Sequence, residues 1–298
     1  MMKIQRKKGL FYVIFALIFL ILILLYFFNQ FEEILYLPFL SPAEWCEHQP
    51  CMQIEFFSTT FTLVQPTSTF LVYFLGILTA TIGIYLLRVS KKQNYVVFWG
   101  IALILWGLGA LFAGTSYQAF SYELKCAGRS LCIWTSWWEV VYLVLSVGSV
   151  DAMMLAQASL NSKGEYYTAM RLYAACNFLV YVPIVVIGSV IPIKFLISFE
   201  LMVIFLVPSI LIFILFNLRR YLKLKQSIDK QSLLIWLLLI IIMGAYFLYL
   251  IAGITEMLWG HGIWFSENDI LHIGLIAWMI YIGFAINKYK PVINNNDE

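Results

Sequence analysis

Residues 231–252 read QSLLIWLLLIIIMGAYFLYLIA, twenty-two positions without a charged side chain. A helix rises about 1.5 Å per residue, so some 20 residues cover the ~30 Å hydrocarbon core of a bilayer. In oil every backbone polar group must be satisfied within the segment, and a helix does that. Just before the run stands RRYLKLKQSIDK, residues 219–230, with five basic side chains. Lipid-length apolar run and basic flank together predict a membrane span whose flank stays in the cytoplasm.

The pattern recurs along the chain. Spans are predicted at 9–28, 68–88, 95–117, 133–157, 170–190, 194–217, 231–252 and 270–287. Of 298 residues, 62% are hydrophobic, 12% charged and 17% aromatic, far from the balance of a soluble domain. The predicted class is an all-α polytopic helical membrane protein with eight transmembrane helices, an N-terminal anchor followed by a seven-helix bundle. No Lys/Arg-rich stripe stands on a soluble domain, which excludes a nucleic-acid partner; membrane lipids are the expected surroundings.

Orientation follows from the distribution of charge. Sixteen of the nineteen Lys and Arg residues fall on one side when the linkers are assigned alternately, leaving Lys125, Arg129 and Lys194 on the other. By the positive-inside rule both termini are cytoplasmic. The setting that fits best is a bacterial inner membrane, with an organelle membrane as the alternative. Cysteines point the same way: Cys46 and Cys51 in CEHQPC, and Cys126 and Cys132 in CAGRSLC, all fall in linkers assigned outside. Paired thiols on an oxidising side read as disulfides, most simply within each linker, although four cysteines permit three pairings.

The expected organisation is therefore 1–29 as cytoplasmic start and first helix, 30–67 as an extracytoplasmic loop with a disulfide, 68–287 as the seven-helix core and 288–298 as a disordered cytoplasmic tail. The basic KIQRKK before the first span also suits a signal peptide, but FFNQFEEILYL after it lacks a small-residue cleavage site, so the segment is read as an anchor. EFFSTTFTL, residues 55–63, is expected to lie along the interface.

Polar residues inside the spans cluster in depth, and such groups usually face a bundle interior or a watered cavity. Ser116, Tyr117 and Gln118 end the third span. Glu139 lies six residues after Ile133 and Glu200 six after Lys194, each about 9 Å deep by helical rise. His272 opens the eighth span. One shared outer cavity is the sharper reading; separate interfacial groups are the other. Asp151, about 18 Å beyond Glu139 on the same helix, is paired with Asn177 as an inner structural hydrogen bond. Ser266 and Asp269 have helix-capping spacing, and Asp269, one turn before His272, is placed to orient its imidazole.

These positions resemble the alkaline ceramidase and adiponectin-receptor superfamily of seven-helix membrane hydrolases. The matching stretches are Ser116-Tyr-Gln-Ala-Phe120, Glu139 and His272-Ile-Gly-Leu-Ile276. The resemblance implies a zinc-dependent lipid amide or ester hydrolase, yet Phe120 and Ile276 stand where two of its three zinc-binding histidines would be. A zinc site here would draw on His272 with Glu139 and Asp269, or with Glu200, as carboxylate ligands. As a hydrolase the chain would use Glu139, His272, Ser116, Asp269 and Glu200 in catalysis, with Tyr117 and Gln118 binding substrate. The alternatives are a non-catalytic receptor or sensor for a lipid or small ligand, and a transporter coupled to protons or cations through Glu139 and Glu200.

Overall fold

The computed structural model describes residues 40–47, 49–160, 165–191 and 193–288. The anchor at 9–28, the first ten residues of the 30–67 loop and the tail after 288 lie outside the described residues, as does the cytoplasmic placement of the N-terminus. Among the described residues seven helices are long and apolar enough to cross a membrane, one for each core span expected.

The described chain opens with a short helix, α1 (Pro42–Trp45), and a two-stranded antiparallel hairpin, β1 (Cys51–Phe56) and β2 (Thr59–Val64). The spanning helices α2 (Pro66–Val89) and α3 (Asn94–Ala113) follow. α3 widens into π-helical turns over Gly114–Ala119 before the short α4 (Ser121–Lys125). Then come α5 (Trp137–Ser159), α6 (Glu165–Val190), a 3₁₀ turn (Lys194–Ile197), α7 (Phe199–Leu224), α8 (Ser227–Ile251), the short α9 (Ile254–Gly260) and α10 (Glu267–Asn287). α2, α3, α5, α7, α8 and α10 close a ring in which each packs on the next, and α6 lies against the outside of α5.

Small residues set the tightest contact in that ring. A Cβ on Gly83 would stand 2.7 Å from the carbonyl oxygen of Gly100, and one on Gly107 would stand 2.6 Å from backbone atoms of Gly76 and Ala80. Only glycine lets the α2 and α3 backbones approach so closely, which is how helices gain packing in lipid, where tails are as apolar as Leu. In the half of the bundle that carries Arg88, Arg219 and Arg220, aromatic rings fill the centre. Phe213 and Trp236 stack with centroids 4.2 Å apart, Trp278 meets both Trp236 and Trp106 edge-on, and the Trp278 indole donates to the Ile235 carbonyl at 2.7 Å. Large apolar side chains such as Leu179, Leu215, Ile241 and Leu248 stay exposed on the outer surface, as a lipid-facing wall requires.

The other end carries both disulfides, Cys46–Cys51 and Cys126–Cys132, each within its own linker. Cys176 is a free, exposed cysteine. EFFSTTFTL supplies the end of the first strand, the turn and most of the second strand of the hairpin: Thr and aromatic residues favour a pleated strand, and the backbone N–H of Thr62 is anchored on the Glu123 carboxylate at 2.9 Å. The hairpin, α4 and the loop to α5 form a cap over the end of α3.

Candidate functional site

Helix starts decide which polar groups share a level. α5 begins at Trp137, not Ile133, because residues 133–136 belong to the disulfide-closed strap: the Ile133 N–H donates to the Lys125 carbonyl and the Cys132 N–H to that of Leu40. Glu139 therefore sits in the first turn of its helix, shallower than helical counting from Ile133 suggests. Glu200 likewise is the second residue of α7, after the 3₁₀ turn takes up Lys194–Ile197. α10 begins earlier than expected, at Glu267, which carries His272 into its second turn.

Glu139 is 2% exposed and engaged through both carboxylate oxygens. One carboxylate oxygen receives the Ser116 hydroxyl at 2.8 Å and forms an ion pair with the Lys125 ammonium; the other receives the Thr135 hydroxyl at 2.8 Å. Since the Ser116 proton goes to Glu139, the Ser136 hydroxyl, 2.6 Å away, donates to Ser116. Lys125 is itself buried, with its ammonium 5.0 Å from the centre of the Tyr117 ring and 5.8 Å from that of Trp45. Burying an ion pair costs several kcal/mol of desolvation per ion (about), recovered only when geometry and hydrogen bonds are complete; here two hydroxyls and two aromatic faces complete it.

Lys125, Thr135 and Ser136 were not among the residues that sequence patterns single out. The available signal for Lys125 was its rarity, one of three basic residues on this side, next to a cysteine. Widening of α3 into π-helical turns at Gly114–Ala119 is what turns Ser116 onto Glu139 and Tyr117 onto Lys125; such turns recur at functional positions.

Asp269 and His272 do not form the expected pair. The Asp269 carboxylate accepts the backbone N–H and hydroxyl of Ser266, closing the capping box, and the Ser68 hydroxyl of α2 at 2.9 Å. Asp269 thus fastens α10 to α2. His272 is 7% exposed and its Nδ1 has no hydrogen-bond partner. Glu267 receives the Thr255 hydroxyl, tying α9 to α10. Gln118 is buried and its Oε1 is unpartnered. Asp151 accepts from the Asn177 amide at 3.0 and 3.2 Å, the inner structural bond expected between α5 and α6.

A zinc ion would need at least three converging donors. Among the described residues no three His, Cys, Asp or Glu side chains converge in that way. Glu139 and Asp269 are committed to different partners on different helices, so His272, Glu139 and Asp269 do not form one ligand set, and no chemical step is assigned to a metal. Phe120 packs on Phe61 at 5.5 Å and Ile276 belongs to the apolar core, so both are packing residues.

What does converge is a group of phenols and acids. Tyr117 on α3 lies within electrostatic reach of Glu139, Glu200, Tyr142 and Tyr181, and its ring meets that of Tyr142 edge-on at 6.0 Å. Tyr142 on α5 is in reach of Tyr246 on α8, and Tyr246 of both Glu200 and Glu267. Tyr117, Glu139, Tyr142, Glu200, Tyr246 and Glu267 all stand within about two turns of the disulfide-bearing ends of their helices. Tyr117 is 37% exposed at the bundle surface, whereas Tyr181 is fully buried. Compared with known protein families, with characterised proteins and with solved structures, the chain shows no match.

Proposed function

We propose that this multi-pass membrane protein is a non-catalytic ligand-binding protein of receptor or sensor type, taking its ligand at the disulfide-bearing end. In the orientation read from charge, that end faces outward from a bacterial inner membrane. The observation carrying the reading is the state of Glu139. A general base must reach a substrate proton, whereas this carboxylate is 2% exposed and already holds Lys125, Ser116 and Thr135. His272 has no acid to orient it, which removes the usual support of an acid–base or metal-binding imidazole. The aromatic centre of Trp236, Trp278, Trp106 and Phe213 supports binding from one side over passage through the bundle.

The lipid-hydrolase alternative rests on one contact, Ser116 on Glu139, and the two readings separate in one experiment. Protein reconstituted with amide- and ester-linked lipids is expected to release no fatty acid above protein-free membranes, and native mass spectrometry of the gently extracted protein to show one retained small molecule or lipid. Fatty-acid release by the wild type that disappears in Glu139→Gln and Ser116→Ala would replace binding with hydrolysis.

A further inference from the structure

We propose that the basic end of the bundle holds one anionic phospholipid, its phosphate on Arg219 and Lys223 and its acyl chain along α7. Two arginines stand side by side at 219–220, and the helix turns them about 100° apart. Arg220 turns inward: its Nε donates to the fully buried Asp229 carboxylate at 2.8 Å and its Nη2 to the Gln226 side chain at 3.1 Å. Arg219 turns outward, where no described acid pairs with it. Its Nη1 donates to the Tyr166 hydroxyl of α6 at 3.1 Å, and the guanidinium lies 5.9 Å from the centre of that ring. Tyr166 in turn rests on Phe216 of α7, with ring centroids 6.3 Å apart. An uncharged partner thus holds the arginine in place, while the rest of its donor fork has no described partner.

The neighbours of Arg219 along α7 select the anion. Lys223, one turn further on, is exposed on the same row of the helix and likewise forms no ion pair with a described residue. Leu215 and Leu211, one and two turns the other way, continue that row and are exposed; helical rise puts Leu211 about 12 Å from Arg219. Two cations above a row of lipid-facing leucines fit a molecule with a phosphate at the membrane boundary and a hydrocarbon tail below it. A guanidinium grips phosphate oxygens through parallel N–H donors. A zwitterionic headgroup brings its own cation against Lys223, so the site favours a headgroup of net negative charge. Basic flanks orient every span, but that role needs no fixed guanidinium; the bond to Tyr166 sets Arg219 apart from the exposed Lys92 and Lys230.

Full-length protein in dodecyl maltoside micelles is titrated with phosphatidylglycerol or phosphatidylcholine of identical acyl chains, and native mass spectrometry follows the bound lipid. The first phosphatidylglycerol is expected to bind about tenfold more tightly than phosphatidylcholine. Arg219→Gln should abolish that preference. Tyr166→Phe, which keeps the ring and removes the hydroxyl that holds the guanidinium, should reduce it about threefold, and it decides the matter if Arg219→Gln does not fold. Lys92→Gln removes the same charge from the exposed turn between α2 and α3 and should change the preference less than about twofold. Equal affinity for the two lipids overturns the proposal. So does an equal loss in Arg219→Gln and Lys92→Gln, which would mean diffuse attraction to a basic end. Displacement of phosphatidylglycerol by an equal concentration of inorganic phosphate would assign the two side chains to free phosphate and overturn the lipid.

Discussion

At the scale of single residues, the fate of Lys125 decides how the cap is held. Removing one partner of a buried ion pair leaves an uncompensated charge, at a cost of about 3–5 kcal/mol, whereas removing both is far milder. Lys125→Met is therefore expected to lower the apparent stability of the purified protein by that amount, and Glu139→Gln added to it to restore more than half of the loss. A double-variant cycle in detergent, followed by tryptophan fluorescence, measures the coupling; additive losses would show that the two side chains act independently. Glu139 and Ser116 were legible in the sequence as polar groups at the correct helix ends. Their partner was not, because only the Cys126–Cys132 closure and the Ile133-to-Lys125 backbone bond fold the strap back over α3. Asp269 and His272 show the converse failure. Spacing brought them within a turn, but Ser266, the cap of the same helix, and Ser68 on α2 donate to the carboxylate instead.

At the scale of elements, the seven core helices were readable from hydropathy because length and apolarity are local properties that lipid imposes on each span separately. Their starts were not readable where a strap or a 3₁₀ turn of apolar residues precedes the helix, as before Trp137 and Phe199. That is why the expected depths of Glu139 and Glu200 were displaced. The hairpin was missed for a related reason: its apolar strand residues look like interfacial anchors until their register is known. The glycine contact between α2 and α3 supplies the prediction proper to this scale. Gly83→Leu and Gly107→Leu must push the two backbones apart, since the added Cβ alone meets backbone atoms at 2.7 and 2.6 Å. Overpacking costs about 1–3 kcal/mol even where side chains can yield, and backbones yield less. Both variants should melt at lower temperature and be recovered in lower yield. Gly244→Leu, whose Cβ would meet no atom within 4 Å, should stay within about 0.5 kcal/mol of the parent. Equal losses at Gly83 and Gly244 would mean that the close approach of α2 and α3 does not govern these positions.

At the scale of the whole molecule, the two ends of the bundle differ in kind. One end holds the disulfides, the hairpin and the acid–phenol cluster; the other holds Arg88, Arg219, Arg220, Lys223, Lys225 and Lys230, with Arg220 paired to Asp229 at 2.8 Å. Basic flanks resist translocation, and disulfides persist where the surroundings are oxidising, so both asymmetries demand the same orientation although they arise from unrelated chemistry. Exposed tryptophans at the disulfide end, Trp137, Trp138 and Trp264, fit a belt at the water boundary. The consequence is measurable in sealed right-side-out vesicles with an impermeant maleimide, in a Cys176→Ser background. His261→Cys, in the exposed turn before α10, should label at once; Lys223→Cys, at the basic end of α7, should label only after detergent opens the vesicle. The reverse pattern would turn the acid–phenol cluster toward the cytoplasm and expose both disulfides to reducing thiols. A ligand taken at that end would then have to come from the cytoplasm.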